Sequence, residues 1–129
     1  LGILEGVTYK ELSDFGYARR SIKDDDFDGH KGESPRVLAN RMLRAIRQIR
    51  SHHPGQNIIL VSHGGAISHA LSILLDTKPL FGPKYIMKNS AVTEVLMHPV
   101  PELLHLNHYD HIPEDLRADS NRADQKIDN

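Results

Sequence analysis

Residues 58–65, Ile-Ile-Leu-Val-Ser-His-Gly-Gly, carry the clearest chemical potential in this chain of 129 residues. An apolar run that ends in His63-Gly64-Gly65 and passes straight into a helix would put an imidazole at the carboxyl edge of a parallel sheet. Open α/β sheets bind ligands at that edge. The two glycines let backbone approach backbone, and the helix that follows offers unpaired N–H groups and the positive end of its dipole. An imidazole in that place suits a phosphoryl group: protonated it neutralises charge, and neutral it accepts a proton. A tight strand-to-helix turn with an incidental histidine accounts for the same spacing equally well, since short glycine-containing motifs recur by chance.

Three other groupings invite a chemical reading. Gly32-Glu33-Ser34-Pro35 is fully explained as a helix start with an acidic residue near the dipole. Asp24, Asp26 and Asp28 followed by Gly29 match the first half of an EF-hand loop, but the twelfth position, which needs a bidentate glutamate, is Pro35. A solvated acidic loop is the better account. His98, His105, His108 and His111 suggest a metal, yet on a strand His105 and His108 would face opposite ways, so surface imidazoles are expected and no metal site is. His52 and His53 suit a helix C-terminus, where they complement the dipole.

The elements that position these residues follow from periodicity. Thr8 and Glu11 form a capping box for a short helix that fades near Gly16. Ser34 as N-cap and Pro35 at the first helical position open a longer helix. Its apolar stripe reads Leu38, Met42, Ala45, Ile46 and Ile49, with Arg36, Arg41, Arg44, Arg47 and Arg50 on a solvated face, and Pro54-Gly55 stops it. Ile58 to Val61 reads as a strand buried on both faces of a parallel sheet. Ala66, Ile67, Ala70, Leu71, Leu74 and Leu75 form the next amphipathic helix, and Pro79 to Pro83 a connection. Ala91–Met97 and Leu104–Tyr109 alternate like two strands joined through Pro99-Val100-Pro101. A polar tail at 113–129 is expected to fray.

Composition narrows the function classes. Lys and Arg number 16 against 17 Asp and Glu, and a net charge of −1 gives no pull toward nucleic acid or an anionic membrane. The absence of cysteine removes disulfides, thiolate nucleophiles and Cys-type zinc sites. The aliphatic run 58–61 is far too short to span a bilayer, and no basic–apolar–small pattern opens the chain. Hydrophobic residues at 39% and charged residues at 26% describe a folded globular chain, long enough for one domain.

Taken together, the segments resemble the histidine phosphatase superfamily, the phosphoglycerate-mutase-like proteins. Gly2-Ile3-Leu4-Glu5-Gly6 is similar to the family's G-x-x-E-G stretch, and Gly32-Glu33-Ser34 before an arginine-bearing helix is similar to its G-E-S segment. Val61-Ser62-His63-Gly64-Gly65 resembles the V-x-H-G-G that carries the second catalytic histidine, and Asn89-Ser90-Ala91-Val92-Thr93 the Asn-led opening of a late strand. The resemblance runs through nearly all of residues 1–112, and only the combination is specific.

The resemblance implies a three-layer α/β sandwich with a mostly parallel central sheet, helices on both faces, and the phosphatase domain ending near residue 112. It implies phosphomonoester hydrolysis through a phosphohistidine, with His63 as a catalytic residue, Gly64 and Gly65 as phosphate-binding residues, no metal or other cofactor, a small phosphorylated metabolite as partner, and a cytoplasmic location. The family's nucleophile lies in an Arg-His-Gly motif, and no Arg-His pair occurs here; its proton donor would precede Gly2, and Glu5 sits on the wrong side. The chain opens on Leu1, so it is expected to be the C-terminal portion of such a protein, inactive alone. A degenerate, non-catalytic binding module is the alternative, as is mutase-type phosphoryl transfer. Mutases of the family commonly continue His-Gly with Asn-Ser, where Gly65-Ala66 stand here, and carry a lysine where Tyr9 stands. Their segment between Gly6 and Glu33 is also longer, so phosphatase is the expectation.

Overall fold

The computed structural model describes residues 2–78 and 83–117. The first helix starts where the sequence places it. Thr8 N donates to Glu11 Oε2 at 2.7 Å and Glu11 N donates to Thr8 Oγ1 at 3.3 Å, so the capping box closes. Helix α1 (Tyr9–Phe15) ends at Gly16, whose φ of 70° and ψ of 30° are left-handed and free of strain only for glycine. The chain does not stay irregular there: Gly16 is also the N-cap of α2 (Tyr17–Lys23), a helix that the pattern of apolar residues does not announce.

Helix α3 (Pro35–His52) begins as expected, with Ser34 Oγ accepting from Val37 N at 3.3 Å. The acidic loop folds onto this start. Arg36 N donates to the Asp25 carbonyl at 2.9 Å, and the Arg36 guanidinium reaches Asp26 Oδ1 at 2.7 Å and Asp25 Oδ2 at 3.5 Å. Arg36 stays on the solvated face assigned to the arginines and from there fastens the loop. The buried stripe also differs in detail: Pro35 and Ala39 are buried, Leu38, Met42, Leu43, Ile46 and Ile49 half-buried, and Ala45 exposed. Ala39 belongs to the stripe because 35, 39, 42, 46 and 49 keep helical spacing around one centre, and Ala45, on the margin of that face, is left exposed.

Helix α4 (Gly64–Leu75) starts at the glycine pair, two residues before the apolar residues that announced it. It packs on α3 and on a short 3₁₀ turn at Pro83–Tyr85, whose Tyr85 is buried. Its centre is enclosed on more than one side, because Ser68, His69 and Ser72 are buried together with Ala70 and Leu71. Strands β1 (Val92–Leu96) and β2 (Glu102–His108) pair antiparallel, with Val92 opposite His108 and Leu96 opposite Glu102. The second strand begins two residues earlier than its alternation suggests. Near its end Asn107 turns left-handed at φ 57°, and its side-chain oxygen accepts from Lys88 N at 2.8 Å. A last short helix, α5 (Glu114–Arg117), is tied back by Arg117, which donates to the Ile112 carbonyl at 2.6 Å and the Asp110 carbonyl at 2.7 Å.

The fold is thus mixed α and β, and its only sheet among the described residues is this antiparallel pair. The expected buried parallel strand is not formed there. Residues 58–61 belong to no helix or strand, no backbone hydrogen bond joins them to another described residue, and Ile59 and Val61 are 92% and 94% exposed. An aliphatic strand is buried only when neighbours pair on its edges and helices cover its faces, and α3 and α4 pack on each other instead. Residues 79–82 of the expected connection, and 118–129 of the expected tail at 113–129, lie outside the described residues. The described start of that tail does not fray but forms α5, held by the Arg117 bonds.

An unpaired aliphatic segment invites pairing with another chain. The isolated chain is expected to self-associate through residues 58–61. Ile59→Lys with Val61→Lys is expected to shift size-exclusion elution to the monomer at unchanged helical circular dichroism. Equal association of the variant would locate the contact elsewhere.

Candidate functional site

His63 occupies the N-cap of α4 with φ −92° and ψ 148°, extended geometry that lets its carbonyl accept the first helical bond, from Ile67 N at 2.9 Å. Its side chain makes no capping bond and is exposed, joined to no other described residue by a hydrogen bond or ion pair. The amides of Gly64, Gly65 and Ala66 precede the first possible intrahelical donor, so they stand uncapped beside the imidazole. They present partial positive charge to whatever approaches this turn.

The two glycines differ. A Cβ on Gly64 would lie 3.4 Å from Met87 Cβ and 3.7 Å from the Met87 carbonyl oxygen, so the chain does pass close there. Nothing lies within 4 Å of the equivalent position on Gly65. The close approach expected of both is made by Gly64 alone, because Gly65 is on the open side of the helix start.

The Gly2–Gly6 and Gly32–Ser34 segments come together around His30, a residue that sequence reasoning passed over. Ile3 N donates to the His30 carbonyl at 2.9 Å. Gly2 has φ +58° and has no room for a Cβ against that carbonyl, and a Cβ on Gly32 would collide with the His30 ring. His30 is 1% exposed, with its ring 5.6 Å from that of Phe27. Burial pulls its pKa below the ordinary imidazole value, and a bond to the Glu33 backbone and the charge of Asp28 pull weakly the other way. Nothing in a single histidine among Gly29, Lys31 and Gly32 distinguishes a buried ring from a solvated one.

Glu33 and Ser34 keep structural roles. Glu33 takes Arg41 in a two-point bridge, Nε to Oε1 at 2.6 Å and Nη2 to Oε2 at 2.7 Å. The guanidinium holds the Glu33 carboxyl below the usual carboxylate range. The Asn89–Thr93 segment reaches the glycine pair through Met87: Thr93 Oγ1 lies 3.4 Å from Met87 Sδ and accepts from Asn107 N at 3.0 Å.

The late histidines do not converge on one centre, although the rings of His108 and His111 meet edge to face with centroids 6.5 Å apart. His105 Nε2 lies 3.9 Å from Glu94 Oε2, whereas His108 Nε2 lies 3.3 Å from Asp110 Oδ2. Among the described residues no group of three or more His, Asp or Glu is gathered to hold a metal ion, and no helix is long and apolar enough to cross a membrane.

An exposed histidine at an uncapped helix start, on a mixed α/β chain with G-x-x-E-G and G-E-S segments drawn together, defines a class of protein rather than one activity. The family model for the histidine phosphatase superfamily (branch 1) matches residues 1–107, and the chain belongs to that superfamily. Membership carries phosphoryl transfer or hydrolysis as its general chemistry. Neither the curated proteins nor the solved structures gave a significant match.

The Glu33–Arg41 pair makes a pH prediction. A carboxyl whose pKa is lower folded than unfolded adds stability above its unfolded value, about 4.3 for glutamate, and loses it as pH falls through the folded value. Both side chains are substantially exposed, so Arg41→Ala is expected to cost under about 1 kcal/mol at neutral pH. Below the folded pKa of Glu33 the cost should vanish. Urea unfolding of both chains at neutral and acid pH measures it, and an equal cost at both would assign the loss to packing of the arginine stem.

Proposed function

We propose that this chain forms part of a phosphomonoesterase and supplies its second catalytic histidine, His63. The observation that carries this reading is the exposed imidazole beside the uncapped amides of Gly64 and Gly65, inside the segment matched by the family model. In this reading a histidine of an Arg-His-Gly motif, on a segment beyond these 129 residues, attacks phosphorus, and the P–O bond to the alcohol breaks. Water then attacks the phosphohistidine, freeing inorganic phosphate and regenerating the nucleophile. His63 stands across the phosphoryl group and stabilises its equatorial oxygens, and the Gly64 and Gly65 amides add oriented dipoles. The chemistry calls for no metal or other cofactor.

The same reading gives residues 58–61 their place. A further strand along their edge, with helices over both faces, makes the mostly parallel, three-layer sheet of a phosphatase domain ending near residue 112, with 113–129 as a tail. The substrate is a small phosphorylated metabolite, and the location cytoplasmic. Gly65-Ala66 after His63-Gly64, and Tyr9 where mutases carry lysine, favour hydrolysis over mutase transfer.

Two assays test this. The 129-residue chain alone should release no nitrophenol from p-nitrophenyl phosphate above buffer, because the members of a catalytic unit do not replace one another. Turnover that disappears on changing His63 would refute the missing nucleophile. In a protein that also carries the Arg-His-Gly segment, His63→Ala is expected to lower kcat by about a hundred- to a thousandfold. Its circular dichroism should be unchanged, since the exposed ring leaves no cavity. A near-normal rate, or an unfolded variant, would make His63 a structural residue.

A further inference from the structure

A concave site lies beside the end of the β1–β2 hairpin. The Lys88–Ser90 turn, Tyr109, Ile112, Leu116 and Arg117 line a cavity of about 230 Å³. Its walls are fixed by the chain itself. The turn closes through Ala91 N donating to the Lys88 carbonyl at 3.2 Å, and the Ser90 carbonyl lies 3.1 Å from His111 Nε2. Ser90 holds φ 59° without being glycine, a conformation that costs energy and persists only where its surroundings impose it. Arg117 is anchored to the Ile112 and Asp110 carbonyls.

The charges in this cavity are unequal. Lys88 Nζ sits 3.9 Å from the centre of the Tyr109 ring, and the Arg117 guanidinium lies 5.6 Å from it. Arg117 has a carboxylate nearby, Asp110 Oδ1 at 3.7 Å, whereas Lys88 makes no ion pair with any described residue. A ring face orients an ammonium without cancelling its charge. Lys88 is therefore a positioned, uncompensated cation, flanked by the polar side chains of Asn89 and Ser90 and faced by the apolar side chains of Ile112 and Leu116.

We propose that this cavity binds a small amphipathic anion, a carboxylate or phosphate group on a compact apolar body. The anionic oxygens meet Lys88 with Asn89 and Ser90, and the apolar body lies against Ile112, Leu116 and the Tyr109 ring. None of His63, Gly64 and Gly65 lines this cavity, and the proposal does not depend on the phosphatase reading.

Amide NMR of the full 129-residue chain, titrated with benzoate, phenyl phosphate, inorganic phosphate and benzyl alcohol, tests it. Benzoate or phenyl phosphate is expected to move the signals of residues 88–90, 109, 112 and 116, and the tighter of the two identifies carboxylate or phosphate as the group read. Lys88→Met should weaken that binding about tenfold, the size of one charge-assisted hydrogen bond, and Lys88→Arg should restore most of it. The same spectra report whether each variant is folded. Shifts confined to residues 63–66, no shifts, or an unaltered affinity in Lys88→Met would overturn the proposal. So would benzyl alcohol binding as well as the anions, or inorganic phosphate binding as well as phenyl phosphate.

Discussion

The packing of α3 on α4 is the contact on which the rest of the described structure depends. With residues 58–61 unpaired, the described residues form no parallel sheet beneath the two helices, and the helices' own faces bury the core. Most of the residues enclosed on these helices are small: Ala39 on α3, and Ser68, Ala70 and Ser72 on α4, with Pro35, His69 and Leu71 the larger ones. Small side chains let helix backbones approach closely, but they remove less apolar area from water than Leu or Ile would. Ser68 Oγ is buried without a hydrogen-bond partner, which subtracts further. The pair is close-fitting and weakly driven, so an added layer against the exposed aliphatic run has much to contribute.

Local chemistry was readable in the sequence, and long-range pairing was not. Thr8 with Glu11, and Ser34 with Pro35, specify helix starts through bonds three residues apart, and both form as expected. The hairpin was recovered because strand alternation survives in 92–96 and in part of 102–108. The pairing register shifts between His105 and His108, where the left-handed turn of Asn107 serves a bond to Lys88 that no periodicity can announce. The run Ile58–Val61 has the composition of a buried strand, but composition states what a segment needs and not which segment provides it.

The candidate site divides along the same line. His63, Gly64 and Gly65 were picked out by residue type and spacing, and the structure sets them at a helix start, as those types suggest. His30 and His69, both buried, carried no such signal, because burial of a lone histidine is decided by residues distant in sequence. The acidic loop reads as solvated, and Asp24, Asp26 and Asp28 are open to water, whereas Asp25 is half-buried under Arg36. What escaped was Arg36, eleven residues from Asp25, which turns that loop into a brace for the start of α3.

The helix starts themselves show where stability has been forgone. Thr8 caps α1 and Ser34 caps α3 with side-chain oxygens, a provision worth about 0.5–2 kcal/mol at such positions. Helix α4, more central to the core than α1, has His63 there and no side-chain cap, followed by two glycines, which are poor residues for the first turn of a helix. A serine or aspartate at 63 would satisfy one of the amides that now stand open, and an alanine at 65 would meet no obstruction. The chain forms α4 without these gains because the packing of its later turns is sufficient to hold it. The amides left unsatisfied at its start, beside an exposed imidazole, keep their full hydrogen-bonding capacity for an anion from solution.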